Sequence, residues 1–186
     1  MYALGYDSVD QLLSAVLHSN SLSGAILKQY AYTYDSAGNR TGEQIDGDPS
    51  AASHNNLNQL TDIAAAGPLR FAGYLSETGA VTVAGSPAML TDHTNFLGWA
   101  DTVLGTNIVA VAGTDVSDNR ATNEYEIVVS DNVVARTLTC DLNGNLSVST
   151  TAFSTNTYEW DAADRQAGPD YANRHQRAPT SQRVHL

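Results

Sequence analysis

The sequence predicts an all-β protein built from two kinds of sheet, and three observations lead to this prediction. A seven-residue pattern typical of a tight hairpin turn occurs five times in one frame. Tyrosines alternate at Tyr30, Tyr32 and Tyr34, which is the two-residue period of a strand. Between residues 64 and 132, short Val-rich segments recur about every ten residues without a helical period. We therefore expect β-hairpins interrupted by a β-sandwich.

The five turn windows start with an aromatic residue, or with Cys140 in one of them, followed by Asp or Asn. They begin at Tyr6, Tyr34, His54, Cys140 and Trp160, and they read YDSVDQL, YDSAGNR, HNNLNQL, CDLNGNL and WDAADRQ. Their second residue is Asp or Asn throughout: Asp7, Asp35, Asn55, Asp141 and Asp161. At the first position of a type I turn, such a side chain accepts a backbone N–H bond. Each window therefore predicts a strand that ends on the first residue and then turns.

The fifth position of the windows is equally restricted. It holds Asp10, Gly38, Asn58, Gly144 and Asp164. In a three-residue hairpin loop, the residue after the turn adopts the left-handed conformation. Only Gly, Asn and Asp enter that region at low cost. We therefore predict positive φ at all five positions, with outgoing strands that begin near Leu12, Leu60 and Leu146.

Two segments around these windows resemble a known repeat family. YAYTYDSAGNRTGEQIDG and TYEWDAADR look like the YD repeats of Rhs-type proteins, which are very large secreted or surface-exposed bacterial proteins. The resemblance covers about residues 2–62 and 134–166, and the His54 and Cys140 windows lose part of the aromatic-Asp pair. It implies hairpins that spiral into a shell, which encloses a C-terminal toxin or presents an adhesive surface. The implied partner is the remainder of a larger YD-repeat polypeptide.

The middle of the chain predicts a sandwich of six short strands. We expect strands at residues 69–75, 80–84, 87–91, 96–103, 107–113 and 122–130. In the last one, Tyr125, Ile127 and Val129 share a face that should be core, whereas Glu124 and Glu126 share the solvated face. The ends of this insert, Ala64 and Asn132, should lie close together, because an insertion into a hairpin array requires it.

A second resemblance concerns this insert. GYLSETGAVTVAGSPAML and LGTNIVAVAGTDVSDNRATNEYEIVV are similar to immunoglobulin-like modules of extracellular bacterial proteins, of the type named after domain B of glucodextranase. It implies a spacer or attachment unit without catalytic residues. The expected organisation is YD-repeat hairpins at residues 1–63, an immunoglobulin-like sandwich at 64–132, YD-repeat hairpins at 133–166 and an irregular or disordered tail at 167–186.

Composition excludes several classes of function. The net charge of −11 disfavours binding to nucleic acid or anionic lipid. No apolar run approaches the roughly 20 residues of a membrane span, and the N-terminal residues lack the pattern of a signal peptide. The single cysteine, Cys140, excludes an internal disulfide, and its repeat position predicts a buried, inert thiol. We predict no cofactor, and a parent protein that is secreted or at the cell surface.

Residues 165–186 carry four arginines against one aspartate, unlike the acidic remainder. The leucine that the repeat would place next is Gln166, and no alternating strand follows. The tail is either a flexible linker or the product of a disturbed reading frame, and we favour the second interpretation.

No residue pattern predicts an active site or a metal site. The Asp115–Asn119 and Asp141–Asn145 loops are oxygen-rich, but they lack calcium-loop spacing and are better explained as turns. The five histidines are scattered, and Asp92-His93 has no nucleophile elbow beside it. We therefore predict a protein that is not an enzyme, with a structural or adhesive function. A hydrolase fragment is kept only as a third hypothesis.

The alternative function is polysaccharide binding by the insert. Trp99 and Tyr74 offer aromatic faces for sugars, and Asp101 offers a hydrogen-bonding group. Alternation places Trp99 and Asp101 on one face of a strand, but the sequence does not fix which face is outward. We expect a buried Trp99, which favours the structural function, and we expect Trp160 to pack within its hairpin.

Overall fold

A computed structural model describes residues 1–167, and these residues are all-β. The chain divides into two compact units, Met1–Arg136 and Thr137–Leu186. Across residues 1–167 no helix is long and apolar enough to cross a membrane. The all-β class predicted from the sequence is therefore confirmed.

The first unit begins with an antiparallel sheet of six consecutive strands, here named the hairpin sheet. The strands are β1 (Tyr2–Tyr6), β2 (Leu12–His18), β3 (Ile26–Tyr34), β4 (Arg40–Ile45), β5 (Asp48–His54) and β6 (Leu60–Ala65). Each strand pairs with the next one along the chain. The register shifts at Tyr6, Tyr34 and His54, where a bulge precedes each turn. The incoming strands end on the first residue of their windows, as the sequence predicts.

Small residues on one face of the hairpin sheet let another strand approach closely. Gly5 pairs with Ser14, and Ser14 pairs with Ala31 on the next strand. A side chain at Gly42 would collide with the ring of Pro68, because the two residues are in direct contact. The face that carries few large side chains is therefore the face against which the following strand packs.

The following strands form two sheets. They are β7 (Pro68–Tyr74), β8 (Gly79–Val83), β9 (Ser86–Pro87), β10 (Met89–Leu90), β11 (Asn95–Asp101), β12 (Gly105–Asp115) and β13 (Arg120–Val129). One sheet has the order β10-β11-β7 and the other has the order β13-β12-β8-β9. Both are antiparallel. Their buried centre is formed by Val83, Ala100 and Val109.

Two expectations about this region are wrong. The strand expected at residues 87–91 is two short strands in different sheets, because the chain crosses from one sheet to the other at Ala88. Tyr125 was expected in the core but remains 47% exposed. It lies on β13, an edge strand, so its ring covers Phe71 at 6.3 Å between ring centres while solvent reaches its other side. Glu124 and Glu126 are exposed, as expected.

The two ends of the predicted insert both lie beside β5. Ala64 pairs with Ala51, and the Asn132 amide Nδ2 donates a hydrogen bond of 2.8 Å to the Asp48 carboxylate. This agrees with the expected closeness of the two ends. The first compact unit, Met1–Arg136, contains both the hairpin sheet and the two later sheets. That the insert folds by itself therefore stays a prediction.

The second unit continues the hairpin pattern. Its strands are β14 (Arg136–Cys140), β15 (Leu146–Thr151), β16 (Thr155–Thr157), β17 (Glu159–Trp160) and β18 (Gln166–Ala167). β14, β15 and β16 are neighbours in that order, and β17 pairs with β18. The predicted tail at 167–186 lies outside the described residues from position 168 onward.

Candidate functional site

The five predicted turns share one hydrogen-bonding geometry. In the Tyr34 window, the Asp35 carbonyl accepts from the Gly38 N–H at 3.1 Å. The carboxylate of Asp35 accepts from the N–H groups of Ala37 and Asn39 at 2.9 Å each. Equivalent side-chain bonds are made by Asp7, Asn55, Asp141 and Asp161. The side chain of the Asp or Asn at the second window position therefore accepts hydrogen bonds from backbone N–H groups that a tight turn would otherwise leave unpaired.

The fifth window position has the predicted left-handed backbone in every copy. The φ angles are 63° at Asp10, 85° at Gly38, 58° at Asn58, 93° at Gly144 and 54° at Asp164. Each turn is thus a type I turn followed by a left-handed residue, the three-residue hairpin loop.

The sixth window position matters as well, although the sequence analysis did not single it out. Asn39 donates to the second carboxylate oxygen of Asp35 at 2.9 Å, and the Arg165 Nε does the same to Asp161 at 2.9 Å. In the His54 window the direction is reversed, because the Asn55 amide Nδ2 donates to the Gln59 Oε1. The signal was present in the sequence, because this column contains only side chains with an N–H donor: Gln11, Asn39, Gln59, Asn145 and Arg165.

A sixth copy of the turn joins β12 to β13. The Asp115 carboxylate accepts from the N–H groups of Ser117 and Asn119, and Asp118 has a φ of 62°. The segment TDVSDNR matches the windows except at its first residue, where Thr114 replaces the aromatic. Because the turn uses both carboxylate oxygens of Asp115, this loop is a hairpin turn like the others.

Hydrogen bonds also connect one turn with the next. The Asn39 amide donates to the Asn58 side chain at 2.9 Å, nineteen residues further on. In the second unit, the Asn145 amide donates to the Asp164 carboxylate at 2.8 Å across the same separation. In these two pairs of hairpins, a side chain at the sixth window position of one turn therefore bonds to the side chain at the fifth window position of the next.

The turn hydrogen bonds favour the ionised carboxylates. Bonds from the Asn39 side chain and backbone lower the pKa of Asp35, and those from Asn119 lower the pKa of Asp115. The bond from the Arg165 side chain lowers the pKa of Asp161. These carboxyl groups are therefore charged at neutral pH, and their charge strengthens the turns.

The Asp92 loop should be sensitive only to strong acid. Backbone bonds from Asn95 and Thr94, and a side-chain bond from Asn95, lower the pKa of Asp92 to about 2. Because the folded pKa lies below the unfolded value of about 3.9, the resulting stabilisation is complete above pH 4 and is lost as the pH falls towards 2. A carboxyl ¹³C NMR titration should place the Asp92 midpoint near 2. A midpoint near 4 would contradict this.

The residues proposed for sugar binding lie on β7 and β11, but they do not form one exposed platform. Tyr74 is 78% exposed, and Asp101 is exposed at the end of β11. Trp99 is half-buried and lies on the face opposite Gly98 and Ala100, so its expected burial in the core is wrong. β11 ends at Asp101, so the strand expected to reach residue 103 stops two residues earlier.

Other predicted residues occupy ordinary structural positions. The Trp160 indole Nε1 donates to the Leu146 carbonyl at 2.7 Å, which agrees with packing within its hairpin. Cys140 is a free thiol that is half-buried rather than buried. In the described part of the chain, no three His, Cys, Asp or Glu side chains come together as metal ligands.

Comparison with known proteins adds no relative. The chain matches no protein-family model, and no curated protein is significantly similar to it.

Proposed function

We propose that this chain is a non-catalytic structural or adhesive segment of a large secreted or cell-surface YD-repeat protein of bacteria. The observation that carries the proposal is the repeated turn, which has the same backbone bonds and the same left-handed residue in every window. A geometry repeated in this way supports an array of stacked hairpins, because each unit presents the next one with an equivalent edge.

The sideways bonds between consecutive turns favour the same interpretation. Asn39 bonds to Asn58, and Asn145 bonds to Asp164, in two different units of the chain. Both pairs join windows whose starts are 20 residues apart, Tyr34 to His54 and Cys140 to Trp160. A regular lateral contact of this kind belongs to an array in which hairpins follow one another in register.

Sequencing the DNA that flanks the coding segment tests the proposal. We expect further windows in the same frame, each with an aromatic-Asp pair and with Gly, Asn or Asp at the fifth position. A flank that encodes no such window would overturn the proposal. Release of reducing ends from any polysaccharide by the purified chain would overturn the non-catalytic part of it.

A second candidate function is the binding of polysaccharide, and one observation favours it. Tyr74 is 78% exposed at the end of β7 and borders a cleft of about 470 Å³ that Tyr6 also lines. Aromatic side chains at the rim of a cleft are typical of sites that hold the apolar faces of sugar rings.

A further inference from the structure

Arg70, in the first unit, has a buried side-chain nitrogen without a hydrogen-bond partner and forms no ion pair within residues 1–167. It lies on β7, and its backbone N–H donates to the Gln44 side chain at 2.9 Å. Its side-chain Nε is buried and has no hydrogen-bond partner within residues 1–167. The ion pairs seen in these residues belong to Arg40 and Arg165. Arg70 therefore forms no ion pair with a carboxylate of the described chain, although Asp46 lines the same cleft.

Such an arrangement is costly unless something else supplies the anion. Burial lowers the pKa of Arg70, yet an arginine stays charged at any physiological pH. A buried donor without a partner loses its hydration and gains nothing in return. An unsatisfied charged group at the wall of a cleft is therefore a candidate binding group.

Arg70 lines two adjoining clefts. The smaller one, of about 160 Å³, is also lined by Gln29, Tyr30 and Asp46. The larger one, of about 470 Å³, is also lined by Tyr6 and Tyr74. At roughly 30 Å³ per water molecule, the smaller cleft has room for about five waters, or for a carboxylate and part of the ring that bears it. The larger cleft leaves room for a ligand that extends beyond one ring.

We propose that this paired cleft binds an acidic polysaccharide through a uronate carboxylate held by the Arg70 guanidinium. The planar guanidinium presents parallel N–H donors that match the two oxygens of a carboxylate. The amide of Gln29 and the rings of Tyr6 and Tyr74 supply hydrogen bonds and apolar faces for the sugar rings. The inference deepens the second candidate function and is independent of the proposed array.

A carboxylate fits better than a more highly charged anion. Asp46 lines the same small cleft, and the whole chain carries a net charge of −11. A phosphate monoester, which carries up to two charges at neutral pH, would be repelled more strongly than a carboxylate with one. The aromatic rims favour sugar rings over an acidic peptide, since a peptide would be recognised by its backbone at a free strand edge.

The test uses the full chain and two matched ligands. Oligogalacturonate is titrated by calorimetry alongside its methyl-esterified form, which has the same backbone without the charge. We expect the acid form to bind and the ester to bind at least tenfold more weakly. Binding should also change the emission of Trp99, which lies directly opposite Arg70 across β7 and β11, when Trp160→Phe removes the other indole.

Variants of Arg70 and Asp46 measure how each of the two charges that line the cleft affects ligand affinity. Arg70→Gln should weaken binding at least about tenfold, because a charge-assisted contact is lost. Arg70→Lys should weaken it less, since it keeps the charge without the planar fork. Asp46→Asn should tighten binding about two- to fivefold by removing a like charge, and Asn suits its φ of 55°. Arg120→Gln, at an exposed arginine with the same charge change, should have no effect.

Each outcome decides the proposal. Equal binding of acid and ester, or full binding by Arg70→Gln, would overturn the uronate contact and leave neutral polysaccharide binding as the second candidate. Absence of binding, or binding of oligoglutamate in preference to oligogalacturonate, would overturn the sugar as well. If Arg70→Gln fails to fold, the comparison of acid and ester and the affinity of Asp46→Asn still decide whether Arg70 binds a uronate. None of these results bears on the flanking repeats, which test the array separately.

Discussion

Gly67→Val is expected to lower the free energy of unfolding by about 3 kcal/mol or more. Gly67 has a φ of 136°, where a β-branched residue is strained by about 1–3 kcal/mol. A Cβ there would lie 2.8 Å from the backbone nitrogen of Ala51, so β5 would have to move, which typically costs a further 1–3 kcal/mol or so. The Gly67 carbonyl also accepts two bonds from the buried Thr102, at 2.9 Å and 2.8 Å. Urea denaturation of the full chain measures the loss.

Gly85→Val is the matched control. Gly85 also has positive φ, at 81°, but nothing lies within 4 Å of the position that its Cβ would take. It should therefore show the conformational strain alone, and the difference between the two variants measures the close approach of Gly67 to β5. Equal losses in the two variants would mean that this approach does not matter. If Gly67→Val does not fold, Gly67→Ala replaces it in the comparison.

The turns were predictable from sequence because their physics is local. A carboxylate that accepts N–H groups two and four residues ahead, and a left-handed residue three positions after it, depend on neighbours along the chain. For the same reason, the Asp115–Asn119 loop was predictable as a turn. It was not counted among the repeat windows, whose first residue is Tyr, His, Cys or Trp, whereas this segment begins with Thr114.

The role of β7 was not predictable, because it depends on contacts between residues far apart in sequence. Gly42 and Pro68 touch, and Gln44 accepts from Arg70 across 26 residues of chain. Nothing in the local pattern of β7 distinguishes Arg70 from a solvated arginine. Tyr74, Trp99 and Asp101 could therefore be proposed from the sequence, whereas Arg70, which pairs with Trp99 across β7 and β11, could not.

Trp99 shows how a small residue can determine the face of a strand. A Cβ at Gly98 would lie 2.5 Å from the Cγ2 of Val83, so the absence of a side chain there lets the opposite sheet approach. Gly98 and Ala100 therefore face the core, and Trp99 lies on the other side. Hydrophobicity alone predicts the opposite arrangement, because it assigns the core to the largest apolar ring.

Val83→Asp is expected to abolish cooperative unfolding of the β7–β13 sheets, with a loss of at least about 4 kcal/mol. Val83 is 0% exposed and lies at the centre of the core, beside Ala100 and Val109. A carboxylate there would be buried among apolar groups with no partner, which is among the most destabilising of substitutions. Val83→Ala, which only removes methyl groups, should cost about 2–3 kcal/mol. Near-UV circular dichroism and thermal melts of the full chain compare the variants.

Ile108→Asp controls for the added charge. Ile108 is next to Val109 on β12 but is 59% exposed on the other face of that strand, opposite Glu126, so its replacement should lower the free energy of unfolding by only about 1–2 kcal/mol. The NMR signals of Tyr30, Tyr32 and Tyr34 provide a second observation in Val83→Asp. If these tyrosines of the hairpin sheet keep native shifts while the core is lost, the hairpin sheet folds independently of the insert. A Val83→Asp protein as stable as Ile108→Asp would show that the core is not where the two sheets place it.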